Sequence, residues 1–152
     1  MSISERLLIN TNGQMTQKIG FYAYIDHNEI IGQHKVMVFN VAKTNIGQGY
    51  STHSGVFIAP ISGFYAFSCS LYPSHLSGGS FHIFANDDAV ATMFTDSDSE
   101  IWYLSASSTT VVLSLNQGDE VYVRSDDTYK NVKTIEGSQY AKSSFSGWLI
   151  SA

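Results

Sequence analysis

Short runs of β-branched and aromatic residues recur from Phe21 to the end of the chain, each bounded by Gly, Asn, Asp or Ser. Runs of about 4–8 such residues between turn formers are typical of β-strands. The pattern leaves little room for helical periodicity and predicts an all-β fold. It places ten strands at residues 21–25, 36–41, 55–58, 63–71, 80–85, 90–95, 102–105, 109–115, 120–124 and 144–150.

Ten short strands do not fit comfortably into one open sheet, so we predict a two-sheet sandwich or jelly roll. Within residues 63–69, Tyr65 and Phe67 alternate with Phe64 and Ala66, as the two faces of a strand require. Both faces are apolar. This strand is therefore expected either at the centre of a thick sandwich or between the core and a partner subunit.

The length of 152 residues predicts one domain, which we place at residues 20–152 behind an N-terminal arm of residues 1–19. In the arm, Ser2 and Glu5 fit a capping box that would begin a short helical turn before Leu7. Further on, Asn86 is expected to take a left-handed conformation in a hairpin, and Gly55, Gly63 and Gly118 are expected at turns with positive φ.

Charge and hydropathy exclude several classes of partner. Thirteen acidic residues against eight basic ones give a net charge of −5, and no cluster of Lys or Arg is present to neutralise phosphates. We therefore expect no nucleic-acid partner. No apolar stretch approaches the about 20 residues of a membrane span, so no membrane insertion is expected. No signal peptide is predicted at the N-terminus, although Met1 fits equally the start of an expressed fragment.

Ten residues in fixed register carry a family resemblance: Phe39, Asn45, Gly47, Tyr50, Gly55, Phe57, Pro60, Gly63, Tyr65 and Phe67. This run resembles the globular head domain of complement component 1q. Residues 21–23, 115–123 and 143–149 are similar to the opening, the L-x2-G-D-x-V and the closing segments of that family. The resemblance covers residues 20–151, and no Gly-X-Y collagen repeat precedes it.

The resemblance implies a ten-stranded, two-sheet jelly roll of the tumour necrosis factor type, assembled as a homotrimer and secreted to the extracellular space. The leading function hypothesis is a lectin-like recognition module in innate immunity, which binds carbohydrate or another multivalent cell-surface ligand through avidity. The alternative is a protein–protein signalling or extracellular structural module that binds a protein receptor.

Ligand contacts are predicted in the acidic, tyrosine-bearing segment 126–140, which is long for a connection in a compact domain. The candidates are Asp126, Asp127, Tyr129 and Tyr140, with Trp102 as an outlying one. An aromatic face beside Asp and Asn can stack on and hydrogen-bond a sugar or a peptide. The alternative is that these aromatic residues pack a subunit interface or cap the sandwich.

A weak calcium site is the only metal site considered, at Asp96, Asp98 and Glu100. Alternating carboxylates offer oxygen ligands to a hard cation, but the run lacks the glycine and the final glutamate of an EF-hand loop. Some members of the resembled family bind calcium through two acids. Asp96 falls close to the first, whereas Ser105 falls near the second. A solvated acidic loop is the alternative, and no cofactor is required.

Catalysis is not expected. The single cysteine, Cys69, stands in an apolar run and is interpreted as a buried core residue rather than a nucleophile. The five histidines show no pair with the spacing of a helical zinc site, and no G-x-S-x-G elbow is present.

Overall fold

The computed structural model describes residues 7–9, 15–97, 105–126 and 133–152, and within these ranges it contains strands and no helix. The strands in chain order are β1 Leu7–Ile9, β2 Met15–Gln17, β3 Gly20–Tyr24, β4 Glu29–Ile31, β5 Val41–Ile46, β6 Phe57–Ile58, β7 Gly63–Leu71, β8 Gly78–Ala85, β9 Asp88–Asp96, β10 Ser107–Leu115, β11 Glu120–Ser125, β12 Lys133–Ile135 and β13 Ser144–Ser151.

Nine of these strands form two facing sheets. The five-stranded sheet has the order β10-β7-β13-β3-β5, and the four-stranded sheet has the order β6-β11-β8-β9. All pairs in both sheets are antiparallel. Strands of period two expose one face and bury the other, and β10 alternates in this way along its length. The predicted all-β, two-sheet jelly roll is confirmed.

Aromatic rings fill the space between the sheets. Phe21 stacks on Tyr50 at 4.6 Å between ring centroids, and its edge meets Phe145 at 5.1 Å. Tyr65 and Phe67 on β7 are fully buried in the same cluster, whereas Phe64 lies on the opposite face and is 45% exposed. The alternation predicted for this strand therefore sorts its residues correctly into core and surface.

One sequence prediction about element boundaries is wrong. The strand predicted at residues 36–41 is only an isolated bridge from Val36 to Arg124, and the strand that pairs with β3 is β5, which begins at Val41. The helical turn predicted at Ser2 and Glu5 lies outside the described residues, and Leu7 after it begins a strand that pairs with Met15–Gln17. Most of the predicted strand 102–105 lies outside the described residues.

Part of the segment 126–140, which the sequence suggested to be one long connection, forms a strand. Lys133–Ile135 forms β12, which pairs with β4, and Ile135 is fully buried. Burial of an isoleucine anchors this part of the segment to the domain, because apolar burial contributes about 1.5–3 kcal/mol per such side chain. Ile135 therefore belongs to the core, although the sequence pattern predicted a connection over the whole segment.

The predicted turn residues are largely confirmed. Asn86 joins β8 to β9 with φ of 53°, and Gly118 joins β10 to β11 with φ of 91°. Gly63 does not have a positive φ. It begins β7, where a Cβ atom would approach the Ser151 carbonyl oxygen at 2.7 Å. Close approach of two strands, rather than left-handed backbone, favours glycine at this position.

Candidate functional site

The outer face of the five-stranded sheet carries an exposed apolar row. Strand register aligns Val112, Ala66 and Trp148 side by side across β10, β7 and β13. Val112 is 49% exposed and Trp148 is 45% exposed, and Phe64, two residues before Ala66 on β7, lies on the same face. We call these four residues, together with Tyr22 at 40% exposure, the assembly face.

Hydroxyl groups occupy the neighbouring rows of the same sheet face. Ser70 and Ser108 form a hydrogen bond at 2.8 Å between their Oγ atoms, and the Thr110 hydroxyl donates to Ser68 Oγ at 3.1 Å. These hydroxyls satisfy one another across the strands, so the rows can be buried at little polar cost. One end of this sheet face is thus apolar, and the other end carries hydroxyl groups that are hydrogen-bonded to one another.

A contiguous apolar patch rimmed by polar groups marks an interaction surface. Burial of this face against a partner would be favourable, since each large apolar side chain that becomes buried contributes about 1.5–3 kcal/mol. The sequence indicated that Phe64 is an apolar residue that the core of a single sandwich does not need. It missed Trp148, Val112 and Tyr22, although their alternation with buried neighbours on the same strands was the available signal.

Asp126 directly follows the last residue of β11, an interior strand of the four-stranded sheet. Its backbone N–H donates to the Ser80 carbonyl at 3.0 Å, and its Oδ2 accepts from His82 Nε2 at 3.1 Å. The side chain of Asp126 is 25% exposed. These two hydrogen bonds therefore hold Asp126 against β8, and its side chain remains reachable from solvent.

Tyr140 lies in the tight turn that the Gly137–Lys142 bridge closes, and it is 82% exposed. Its backbone N–H donates to Ser138 Oγ at 3.3 Å. The contacts described for Tyr140 lie within this turn, and those described for Asp126 lie on β8, so these contacts do not join the two residues. Asp127, Tyr129 and Trp102, the other predicted contacts, lie outside the described residues.

The predicted metal ligands are mostly outside the described ranges as well. Asp96 ends β9, opposite Gly78, whereas Asp98 and Glu100 are not described. In the part of the chain that the structure describes, no three His, Cys, Asp or Glu side chains are grouped so that they could hold a metal ion. The weak calcium site stays a prediction.

Titration of the purified protein with calcium is expected to show no tight site, because only one of the two family-type acids is matched. Calorimetry with the intact chain measures this directly, with Asp96→Asn as the comparison. A dissociation constant below about 1 μM that disappears in Asp96→Asn would contradict the expectation, since a site of that affinity needs several charged ligands.

Cys69 has no environment for nucleophilic chemistry. It is fully buried on β7, and burial raises the pKa of its thiol well above the usual range. A thiol attacks as the thiolate, which this burial disfavours. Burial likewise raises the pKa of the Tyr50 hydroxyl, which donates to the Phe39 carbonyl at 2.8 Å and accepts from the Phe39 N–H. Both groups serve the core.

The structure also has no membrane-crossing candidate among its described residues, where no helix reaches the length and apolar character that a span requires.

Comparison with known proteins identifies one family. A model of the C1q domain matches residues 20–150. The collagen alpha-1(X) chain of Mus musculus is 30% identical over 106 residues, which are 70% of this chain and 15% of that protein. The chain therefore spans about 15% of the length of this curated relative.

Solved structures share the fold at low identity. The globular domain of a zebrafish complement 1qA protein gives a TM-score of 0.66 at 16% identity, covering 88% of this chain and 98% of the other. The Eiger TNF structure from S. frugiperda gives 0.66 at 14% identity, with 88% and 92% covered. Murine APRIL gives 0.63 at 10% identity, with 88% and 100% covered. These likenesses establish the jelly roll.

Proposed function

This chain belongs to the C1q domain family, and we propose that it acts as an extracellular, homotrimeric recognition module for carbohydrate or another multivalent surface ligand in innate immunity. The observation that carries the proposal is the assembly face. An apolar row that includes Trp148, 45% exposed, is unfavourable in water and favours burial against further copies of the chain.

Trimerisation suits recognition of repeated ligands. Three equal sites held in one particle raise the apparent affinity for a multivalent surface, even when each site binds weakly. On β7, Phe64 pairs with Ser151 near the C-terminus, and Ser70 at the other end pairs with Ser144, which begins β13 after the Tyr140 turn. Asp126 follows Ser125, which pairs with Phe81 near the start of β8, the strand that follows β7. This end of the sandwich therefore carries the candidate ligand contacts.

Binding without catalysis is part of the proposal. The buried Cys69 thiol supports it, because its raised pKa disfavours the thiolate that a nucleophile needs. We further propose that calcium, if bound, contributes weakly and is not required.

A glycan array probed with the purified protein, beside a pull-down from cell-surface extract, tests this function. Array signals that a free monosaccharide abolishes would support carbohydrate recognition. A single captured protein receptor with no glycan signal would overturn it in favour of the protein-binding alternative. The array is the decisive measurement, because its multivalent display matches the avidity expected of a trimer.

Alanine at Tyr140 or Asp126 is expected to weaken binding of an array-selected glycan by about fivefold or more, as for a contact residue of an interface. The thermal midpoint should fall by no more than a few degrees, because Tyr140 is 82% exposed and adds little to the core. Ile58→Ala is the control, since Ile58 is 48% exposed on β6 beside Glu120, at the start of β11. Unchanged affinity in both variants would place the site elsewhere.

An extracellular structural or signalling role is the second candidate. The 30% identity to the collagen alpha-1(X) chain supports it, although the match covers 15% of that protein. A homotrimer that binds one protein partner and no glycan would favour this role over the first.

A further inference from the structure

The positively charged side chain of Arg124 lies on the outer face of the four-stranded sheet, away from the assembly face. Val121 and Val123 on β11 are fully buried, so Tyr122 and Arg124 point outward. Register places Phe84 opposite Tyr122 and His82 opposite Arg124 on β8. We call Arg124, Phe84, Tyr122 and His82 the Arg124 cluster.

The Arg124 guanidinium lies over an aromatic stack. Its carbon lies 4.1 Å from the centroid of the Phe84 ring. The Phe84 and Tyr122 rings are parallel within 2°, with centroids 5.4 Å apart. Phe84 is only 6% exposed although it points outward, and the Tyr122 hydroxyl donates to the Asn86 carbonyl at 2.9 Å. The cation is thus positioned before any ligand arrives, which lowers the entropy lost on binding.

Within the described residues, the Arg124 guanidinium has neither an ion pair nor a hydrogen-bond acceptor. Its Nε atom is buried without a hydrogen-bond partner. The nearby carboxylate of Asp126 accepts from His82 Nε2 at 3.1 Å, and His82 Nδ1 lies 2.9 Å from Thr92 Oγ1. On the other side of β11, Lys35 is paired with Glu29 at 2.7 Å. Arginine stays charged at any physiological pH and carries five N–H donors.

An unpaired guanidinium in a chain of net charge −5 is a point of charge complementarity for an anion. Its planar fork matches the two oxygens of a carboxylate. The hydroxyls of Ser80 and Thr92 lie on the same sheet face, since Ser80 is two positions from His82 and Thr92 pairs with His82. Neutral hydroxyls around one cation match the many hydroxyls and single carboxylate of an acidic sugar.

Resting on the carbohydrate recognition proposed above, we propose that the Arg124 cluster is a subsite for the carboxylate of a uronic-acid unit in an acidic polysaccharide. The guanidinium receives the carboxylate, and the Phe84 and Tyr122 rings hold the guanidinium in position. Because the four-stranded sheet does not contain the assembly face, a trimer formed through that face leaves the subsite on the flank of the particle.

Fluorescence anisotropy with labelled trigalacturonate and its fully methyl-esterified form tests the subsite on the intact protein. The acid is expected to bind more tightly than the ester at low salt. Arg124→Gln should weaken binding of the acid by about tenfold or more, as charged hydrogen bonds are lost, and leave the ester unchanged. Arg124→Lys keeps the charge without the planar fork and should show a smaller loss.

Lys18→Gln is the matched control, because it removes one exposed positive charge elsewhere in the chain. It should change affinity for the acid by less than about twofold, as expected for screened surface charge. Thermal midpoints of all variants report whether they fold. If Arg124→Gln does not fold, Arg124→Lys serves in its place, because lysine retains an aliphatic stem that can pack on Phe84.

Equal affinity for acid and ester, or an unchanged acid affinity in Arg124→Gln, would overturn the subsite while glycan-array signals still support the proposed function. A blank array would instead overturn the proposed function. Competition by an oligoglutamate peptide as strong as that by unlabelled trigalacturonate would overturn the assignment to a sugar and indicate an acidic peptide.

Discussion

Replacing Gly55 by alanine is expected to lower the thermal midpoint by about 10 °C or more, because two costs coincide. Gly55 has φ of 76°, a conformation that L-residues disfavour by about 1–2 kcal/mol. A Cβ atom there would also overlap the backbone carbonyl oxygen of Met37. Backbone atoms cannot rotate away as a side chain can, so the segment at Met37 would have to move.

Gly118→Ala separates the two costs. Gly118 has φ of 91° but no atom within 4 Å of a Cβ placed there, so it should lose only the conformational part, about 3 °C in a domain of this size. Gly32→Ala, also with open space and without a positive φ, should be nearly neutral. Midpoints are compared at one protein concentration, since assembly shifts them. Equal losses at Gly55 and Gly118 would contradict the proposed overlap.

If the chain forms the proposed trimer, Trp148→Glu is expected to convert it into a monomer. The mass in solution should then fall threefold, to the chain mass of 16.7 kDa. Trp148 lies in the centre of the assembly face, beside Ala66 on β7 and Gly20 on β3. A carboxylate there must be buried without a partner on assembly, in three copies that repel one another, and burying an unpaired charge costs several kcal/mol. Light scattering at micromolar concentration gives the mass.

Ala89→Glu is the control for added surface charge. Ala89 is exposed on β9 and pairs with Phe84, so it lies on the outer face of the other sheet. This variant should remain trimeric. A wild-type protein that is monomeric at micromolar concentration would contradict the assembly, and a trimeric Trp148→Glu would move the interface away from this face.

The candidate site was only partly predictable. Asp126 was proposed from its acidic, tyrosine-bearing context, and the structure places it against His82, a neighbour that no local pattern indicated. Arg124 was assigned to a strand without a role. The role proposed for it depends on Phe84, forty positions earlier in the chain, and on the lack of a described acceptor around its guanidinium.

The sequence by itself determined the fold class, the two faces of β7, the turns at Asn86 and Gly118, and the family resemblance. These follow from local rules, because the side-chain period of two and the backbone preferences of Gly and Asn act within a few residues. Only the tertiary structure decided that the last strand, β13, lies between β7 and β3, which brings Trp148 beside Ala66 and Val112. Strand neighbours are chosen by packing of the whole core, where residues distant in sequence compete for the same partners, and a local pattern carries no record of that choice.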